Sequence, residues 1–165
     1  MVGDIIDRII PQRNSPPATN PATFDTRNGH LVLDFDTTTQ EIAIFKVFMP
    51  QTYGGNGITC YVTWAASTAT TGTGGWDVTL ERIGDGLQDI DADGFGTAQT
   101  ITAATVPGTS GNTTTTSVTM ADGTGMDSVA AGEWFRLRLR RDVANDTAAG
   151  DLELFGIVIR EGTSL

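Results

Sequence analysis

The feature that most constrains this chain is strict alternation of apolar and polar residues along several runs, with no helical periodicity of comparable length. Residues 58–65 (ITCYVTWA) put Ile58, Cys60, Val62 and Trp64 in one phase and Thr59, Tyr61 and Thr63 in the other. Residues 76–83 (WDVTLERI) set Trp76, Val78 and Leu80 against Asp77, Thr79 and Glu81. In residues 133–141 (EWFRLRLRR), Phe135, Leu137 and Leu139 alternate with Trp134, Arg136, Arg138 and Arg140. Successive side chains of a strand point to opposite faces, so each run reads as a strand with one buried and one outer face.

Five more segments read as strands: LVLDF (31–35), EIAIFKVFM (41–49), TAQTITAATV (97–106), NTTTTSVTM (112–120) and DLELFGIVIRE (151–161). They are rich in branched, aromatic or threonine residues and are separated by polar, glycine-containing turns. MDSVAAGE (126–133) fits a single helical turn. Eight candidate strands without a long helix predict an all-β fold, an antiparallel β-sandwich of jelly-roll type. The 165 residues are enough for one domain with its own core. Residues 31–165 are expected to form that sandwich and residues 1–30 an extended arm.

The arm is set apart by composition, because Pro11, Pro16, Pro17 and Pro21 are four of the six prolines in the chain. Proline fixes φ and lacks a donor, which favours extended or irregular backbone. Ahead of it, DIIDRII spaces Ile5 from Ile9 and Ile6 from Ile10 by four residues. That spacing predicts one or two turns of amphipathic helix ending at Pro11. So short a helix is unstable alone, and its isoleucines need a surface on this domain or on a neighbour.

Charge and motif content narrow the function. Twenty acidic residues against ten basic ones give a net charge of −10, opposite to the basic surface that phosphate backbones demand, so no nucleic acid is expected as partner. No run approaches the roughly 20 apolar residues of a membrane span, and no basic leader precedes an apolar segment at the N-terminus. Cys60 has no second cysteine and reads as a buried hydrophobe. His30 is the single histidine, no serine stands in a G-x-S-x-G elbow, and no phosphate-binding glycine loop is present. The expectation is a protein that is not an enzyme and carries no cofactor.

One metal is left open by the pattern. Asp89, Asp91 and Asp93, followed by Gly94, resemble the first half of a calcium loop, but the twelfth position is Thr100 instead of glutamate. A weak structural calcium competes here with a plain acidic turn. The ladder Arg136, Arg138, Arg140 is the clustered positive charge of the chain. It reads either as a face paired with acids such as Asp151 or Glu153, or as an assembly contact for an acidic partner, including another copy. Trp134 shares the arginine phase and is expected outside, whereas Trp64 and Trp76 belong to the core.

These segments together resemble a family. Met49-Pro50-x-x-Tyr53 precedes a strand that ends Trp64-x-Ala66-x-x-Ala69-Thr70-Thr71-Gly72. Later come Arg138-x-x-Arg141-Asp142, then Asp146-x-x-x-Gly150-Asp151, then Leu154-x-Gly156-Ile157-x-Ile159-Arg160-Glu161. Over residues 30–161 the chain is similar to small jelly-roll virion structural proteins of tailed bacteriophages. The resemblance implies a capsid decoration or cement protein, synthesised in the host cytoplasm and placed on the capsid exterior. Such a protein would bind the major capsid protein and itself, as a homotrimer. Ile5, Ile6, Ile9 and Ile10 of the arm, with Arg136, Arg138 and Arg140, are the expected assembly surface. The alternative within the same class is a tail- or fibre-associated module that recognises a glycan or host surface through Trp134 or the Gly/Thr-rich loops.

Overall fold

The computed structural model describes residues 3–86 and 88–162. Ten strands are present among them: β1 (Ile5–Ile9), β2 (Thr23–Arg27), β3 (His30–Phe35), β4 (Ile42–Phe48), β5 (Ile58–Ala66), β6 (Thr73–Ile83), β7 (Gln99–Thr105), β8 (Thr113–Met120), β9 (Trp134–Arg141) and β10 (Leu152–Glu161). They form two antiparallel sheets. The larger sheet runs β2-β3-β10-β5-β8 with β1 also on β10, and the smaller runs β4-β9-β6-β7. This is the expected sandwich, with all eight predicted strands and two more.

The alternating phases meet between the sheets. Cys60, Val62 and Trp64 of β5, Trp76 and Val78 of β6, Phe135, Leu137 and Leu139 of β9, and Leu152 and Leu154 of β10 are fully buried. Phe35 meets Trp76 edge-on at 4.9 Å, and Trp76 meets Trp64 at 6.1 Å, so aromatic rings tie one sheet to the other. Burial pushes the Cys60 thiol up to about 12, which makes it a hydrophobe and not a nucleophile.

The two unexpected strands come from the N-terminal segment. Residues 5–9 are extended, not helical, because β10 has an edge to fill. Of β10, β3 covers only Leu152–Leu154, and β1 takes the same edge further on, with Arg8 opposite Val158 and Ile9 opposite Ile157. Unpaired backbone groups along half of a central strand would cost far more than a marginal helix could return. Ile9 is thereby buried in this domain's core, Ile6 packs against that core, Ile5 is half-buried and Ile10 is exposed.

The chain then crosses to the smaller sheet and covers its free edge. The Ser15 and Ala22 amides donate to the Ile44 and Ile42 carbonyls of β4, and the Ile42 amide donates to the Asn20 carbonyl. Asn14 Oδ1 accepts from the Ile44 amide, and Arg13 donates to the Lys46 carbonyl. An edge strand protected in this way cannot pair with another chain. From there the backbone returns as β2, joined to β3 by a two-residue turn. Asn28 and Gly29 both have positive φ (48° and 83°), as a type I′ hairpin requires.

Residues 126–133 do not form the expected helical turn. A short 3₁₀ turn spans Thr124–Met126, and Asp127 and Ser128 then adopt left-handed backbone (φ 55° and 58°), which ends it.

Candidate binding site

The outer face of the smaller sheet carries the arginine ladder, and its register fixes the partners. Arg136 lies between Lys46 and Glu81, Arg138 between Ile44 and Thr79, and Arg140 between Ile42 and Asp77. Arg136 pairs with Glu81, and Arg140 Nη2 lies 3.4 Å from Asp77 Oδ2. The acids facing the ladder are therefore those of β6. Glu153, expected opposite the ladder, belongs to the other sheet and pairs with Arg27. Phe95 lies over the ladder, its ring 5.0 Å from the Arg136 guanidinium and 4.5 Å from that of Arg138. At the end of this face Trp134 stacks edge-on against Phe48 at 5.2 Å, with 49% of Trp134 exposed as its phase predicted.

The aspartate loop closes on itself. Asp89 Oδ1 accepts from the Asp91 amide, Asp93 Oδ2 accepts from the Asp89 amide, and the Asp93 amide donates to the Asp89 carbonyl. Among the described residues the carboxylates of Asp89, Asp91 and Asp93 do not converge on a common point. The acidic side chains that do converge are Asp25, Asp34 and Glu153, each offering an oxygen within 4.8 Å of the others.

Of these three, Glu153 lines a cleft that the sequence did not reveal. It opens on the outer face of the larger sheet, encloses about 550 Å³, and is built around a break in β10. Leu154 pairs with Trp64 and Gly156 with Thr63, so Phe155 is an extra residue with no partner on β5. Such a bulge re-aims its side chain, and the Phe155 ring stands 48% exposed in the cleft wall. The bulge sits where β3 leaves β10 and β1 joins it. Gly156 is needed there, because a Cβ would lie 2.9 Å from the Ile9 carbonyl oxygen.

The other walls are polar and anchored. Arg27 Nη1 donates to Glu153 Oε2 at 2.5 Å and to the Ser67 carbonyl at 3.1 Å, which fixes the guanidinium plane. Asn28, from the hairpin turn, and Asn112, from the β7–β8 connection, bring amide groups to the rim. Val32 and Ala65 form a small apolar floor. His30 meets the Phe155 ring edge-on at 6.0 Å. On the far side of this ring pair a shallower cleft of about 270 Å³ continues between Ile10, Gln12 and Gly29. No nucleophile or second base partners His30 among the described hydrogen bonds, so no catalytic set is assembled around it.

Opposite Glu153 on β3, Asp34 is charged only with difficulty. Burial, with the negative charge of Glu153, Asp25 and Asp151 nearby, pushes its carboxyl up to about 6, and its Oδ1 is buried without a hydrogen-bond partner among the described residues.

No protein-family model matches the sequence, and no curated protein matches it. Solved structures do share the fold. A Clostridium thermocellum xylanase 10B, comprising CBM22-1 and GH10 modules and complexed with xylohexaose, aligns with 97% of this chain at 12% identity and a TM-score of 0.55. The chain spans 29% of that protein. The xylan-binding module CBM15 aligns over 100% of this chain and 97% of its own length, at 10% identity and a TM-score of 0.52. At such identities the likeness is one of fold, a β-sandwich of jelly-roll type.

Proposed function

We propose that this protein is a non-enzymatic, tail- or fibre-associated module of a virion that recognises a glycan, and that the cleft beside Phe155 is its sugar site. The observation that carries the reading is the half-exposed Phe155 ring, aimed by a β-bulge into a cleft of about 550 Å³ between an anchored guanidinium and two amides. A sugar ring offers an apolar C–H face and a rim of hydroxyls. An aromatic ring serves the first, and Arg27, Asn28, Asn112 and Glu153 can exchange hydrogen bonds with the second. The volume falls within the usual range for small-ligand sites.

The fold supports the reading, since a xylan-binding module of the same architecture matches over 97% of its length. Capsid decoration, the first expectation from the sequence, drew its physical route from a free isoleucine-tipped arm. In this domain Ile9 is buried and Ile6 packs on the core, which leaves Ile10 as the exposed isoleucine of that set.

Screening the labelled protein against an immobilised panel of plant, bacterial and host glycans tests the proposal. Retention on one glycan class, competed by the same sugar in solution, is the expected outcome. Retention on none would overturn it.

A further inference from the structure

We infer that the outer face of the smaller sheet holds a second binding site, centred on Arg138, that takes the carboxylate of an acidic sugar. It is separate from the Phe155 cleft and stands on different residues. The three ladder arginines share one face, yet they are not equivalent. Arg136 is neutralised by Glu81 and Arg140 by Asp77. Arg138 between them makes no ion pair among the described residues. Among the described residues its one side-chain hydrogen-bond partner is the Thr79 hydroxyl, at 3.3 Å, and its Nε is buried with no partner. Across the sheet it faces Ile44, which offers no acceptor.

Two further observations point to an anionic ligand. The Phe95 ring, 4.5 Å from the Arg138 guanidinium, holds its plane, and a planar guanidinium with idle donors is built for bidentate capture of a carboxylate. Lys46, Arg136, Arg138 and Arg140 also outnumber Asp77 and Glu81 on this face, a local positive excess on a chain of net charge −10. A cleft of about 310 Å³ opens next to Arg138 on this face, lined by that residue's ladder neighbour Arg136, its cross-strand partner Ile44, and Ser15, Lys46, Glu81, Ile83 and Ile90. The volume suits a single small ring, not a protein surface. Its hydroxyl, ammonium and carboxylate groups match sugar hydroxyls, and Ile44, Ile83 and Ile90 give an apolar wall for a ring face.

The test uses the full chain with nitrogen-15 arginine and follows the side-chain Nε–H resonances. Galacturonate is the probe, with galactose as its neutral match and acetate as the bare carboxylate. Galacturonate is expected to move the Arg138 resonance while those of Arg82 and Arg141 stay put, and galactose to move none. Acetate should bind at least about tenfold more weakly, having no hydroxyls to share. Arg138→Lys should weaken galacturonate at least about tenfold, the cost of losing a charged, bidentate contact, with the other resonances unchanged as evidence of an intact fold. Phe155→Ala should leave this binding as it is. An unmoved Arg138 resonance, equal affinity for acetate, or full affinity in Arg138→Lys would each overturn the proposal, as would loss of galacturonate binding in Phe155→Ala.

Discussion

Arg27 of β2 and Glu153 of β10 lie 2.5 Å apart across the intervening β3, and this pair forms the base of the proposed sugar cleft. Glu153 is 3% exposed, and Arg27 is the counter-charge it meets. Arg27 keeps 35% of its side chain exposed, which lets water screen part of the pair.

Removing Arg27 should therefore do more than lose a surface contact. Arg27→Ala leaves a buried carboxylate without its counter-charge and is expected to cost about 2 kcal/mol, below the range for a fully buried pair. Adding Glu153→Gln to that variant should restore most of the loss. Urea unfolding of the two variants checks this, and equal stability of both would contradict it.

Asp34 predicts an unusual pH dependence. Its carboxyl keeps a proton up to about pH 6 in the folded chain but has an ordinary value of 3.8 when free of its surroundings. Across that window the folded state binds more protons than the unfolded state, so this residue's contribution to stability falls as pH rises from about 4 to 6 and stays low above it. Asp34→Asn should raise the melting temperature at pH 7 to 8 and change it little near pH 4. A melting series of both proteins over that range decides, and a gain that is the same at every pH would count against the account.

Arg141 is the buried clamp of the β9–β10 connection. Fully buried, it binds both Asp146 oxygens and donates to the carbonyls of Phe35, Ala148 and Gly150. Arg141→Ala strands these acceptors and the nearly buried Asp146 charge, for an expected loss of about 3 kcal/mol or more. Chemical denaturation measures it, and a loss under about 1 kcal/mol would be incompatible with this role.

Gly156 should be intolerant of a side chain. In Gly156→Ala the new Cβ meets the Ile9 carbonyl oxygen at 2.9 Å, so β1 must move away from β10. Hydrogen exchange is expected to quicken at the β1 amides and stay slow in β5 and β9. Unchanged protection of β1 would show that the two strands accommodate the methyl group.

Much of this architecture was legible because one-sided strands alternate with a period of two. Trp64 and Trp76 fall in the core and Trp134 outside, as their phases require. The N-terminal isoleucines were not legible in the same way. A four-residue spacing puts Ile5 and Ile9 on one face of a helix, whereas in the strand a register shift between Ile5 and Asp7 sets Ile6, not Ile5, against the core with Ile9. What decides is the empty edge of β10, some 150 residues away in the chain. The ladder's acids were misassigned for a related reason, since nothing local reveals that β6 and not β10 lies beside β9.

The cleft did leave one trace in the sequence. Leu152 and Leu154 occupy even positions, while Ile157 and Ile159 occupy odd ones, and all four are buried. A strand whose buried phase flips must contain an extra residue, here Phe155. Its companions Arg27, Asn28 and Asn112 come from distant turns and carry no such mark.

The most direct test of the central claim is calorimetric titration of the wild-type protein and Phe155→Ala with the glycan that the panel selects. The account predicts measurable binding by the wild type and at least about tenfold weaker binding by the variant, the loss of one stacked ring, with melting temperatures alike. Equal affinity in the two proteins would contradict the assignment of the sugar site to the Phe155 cleft.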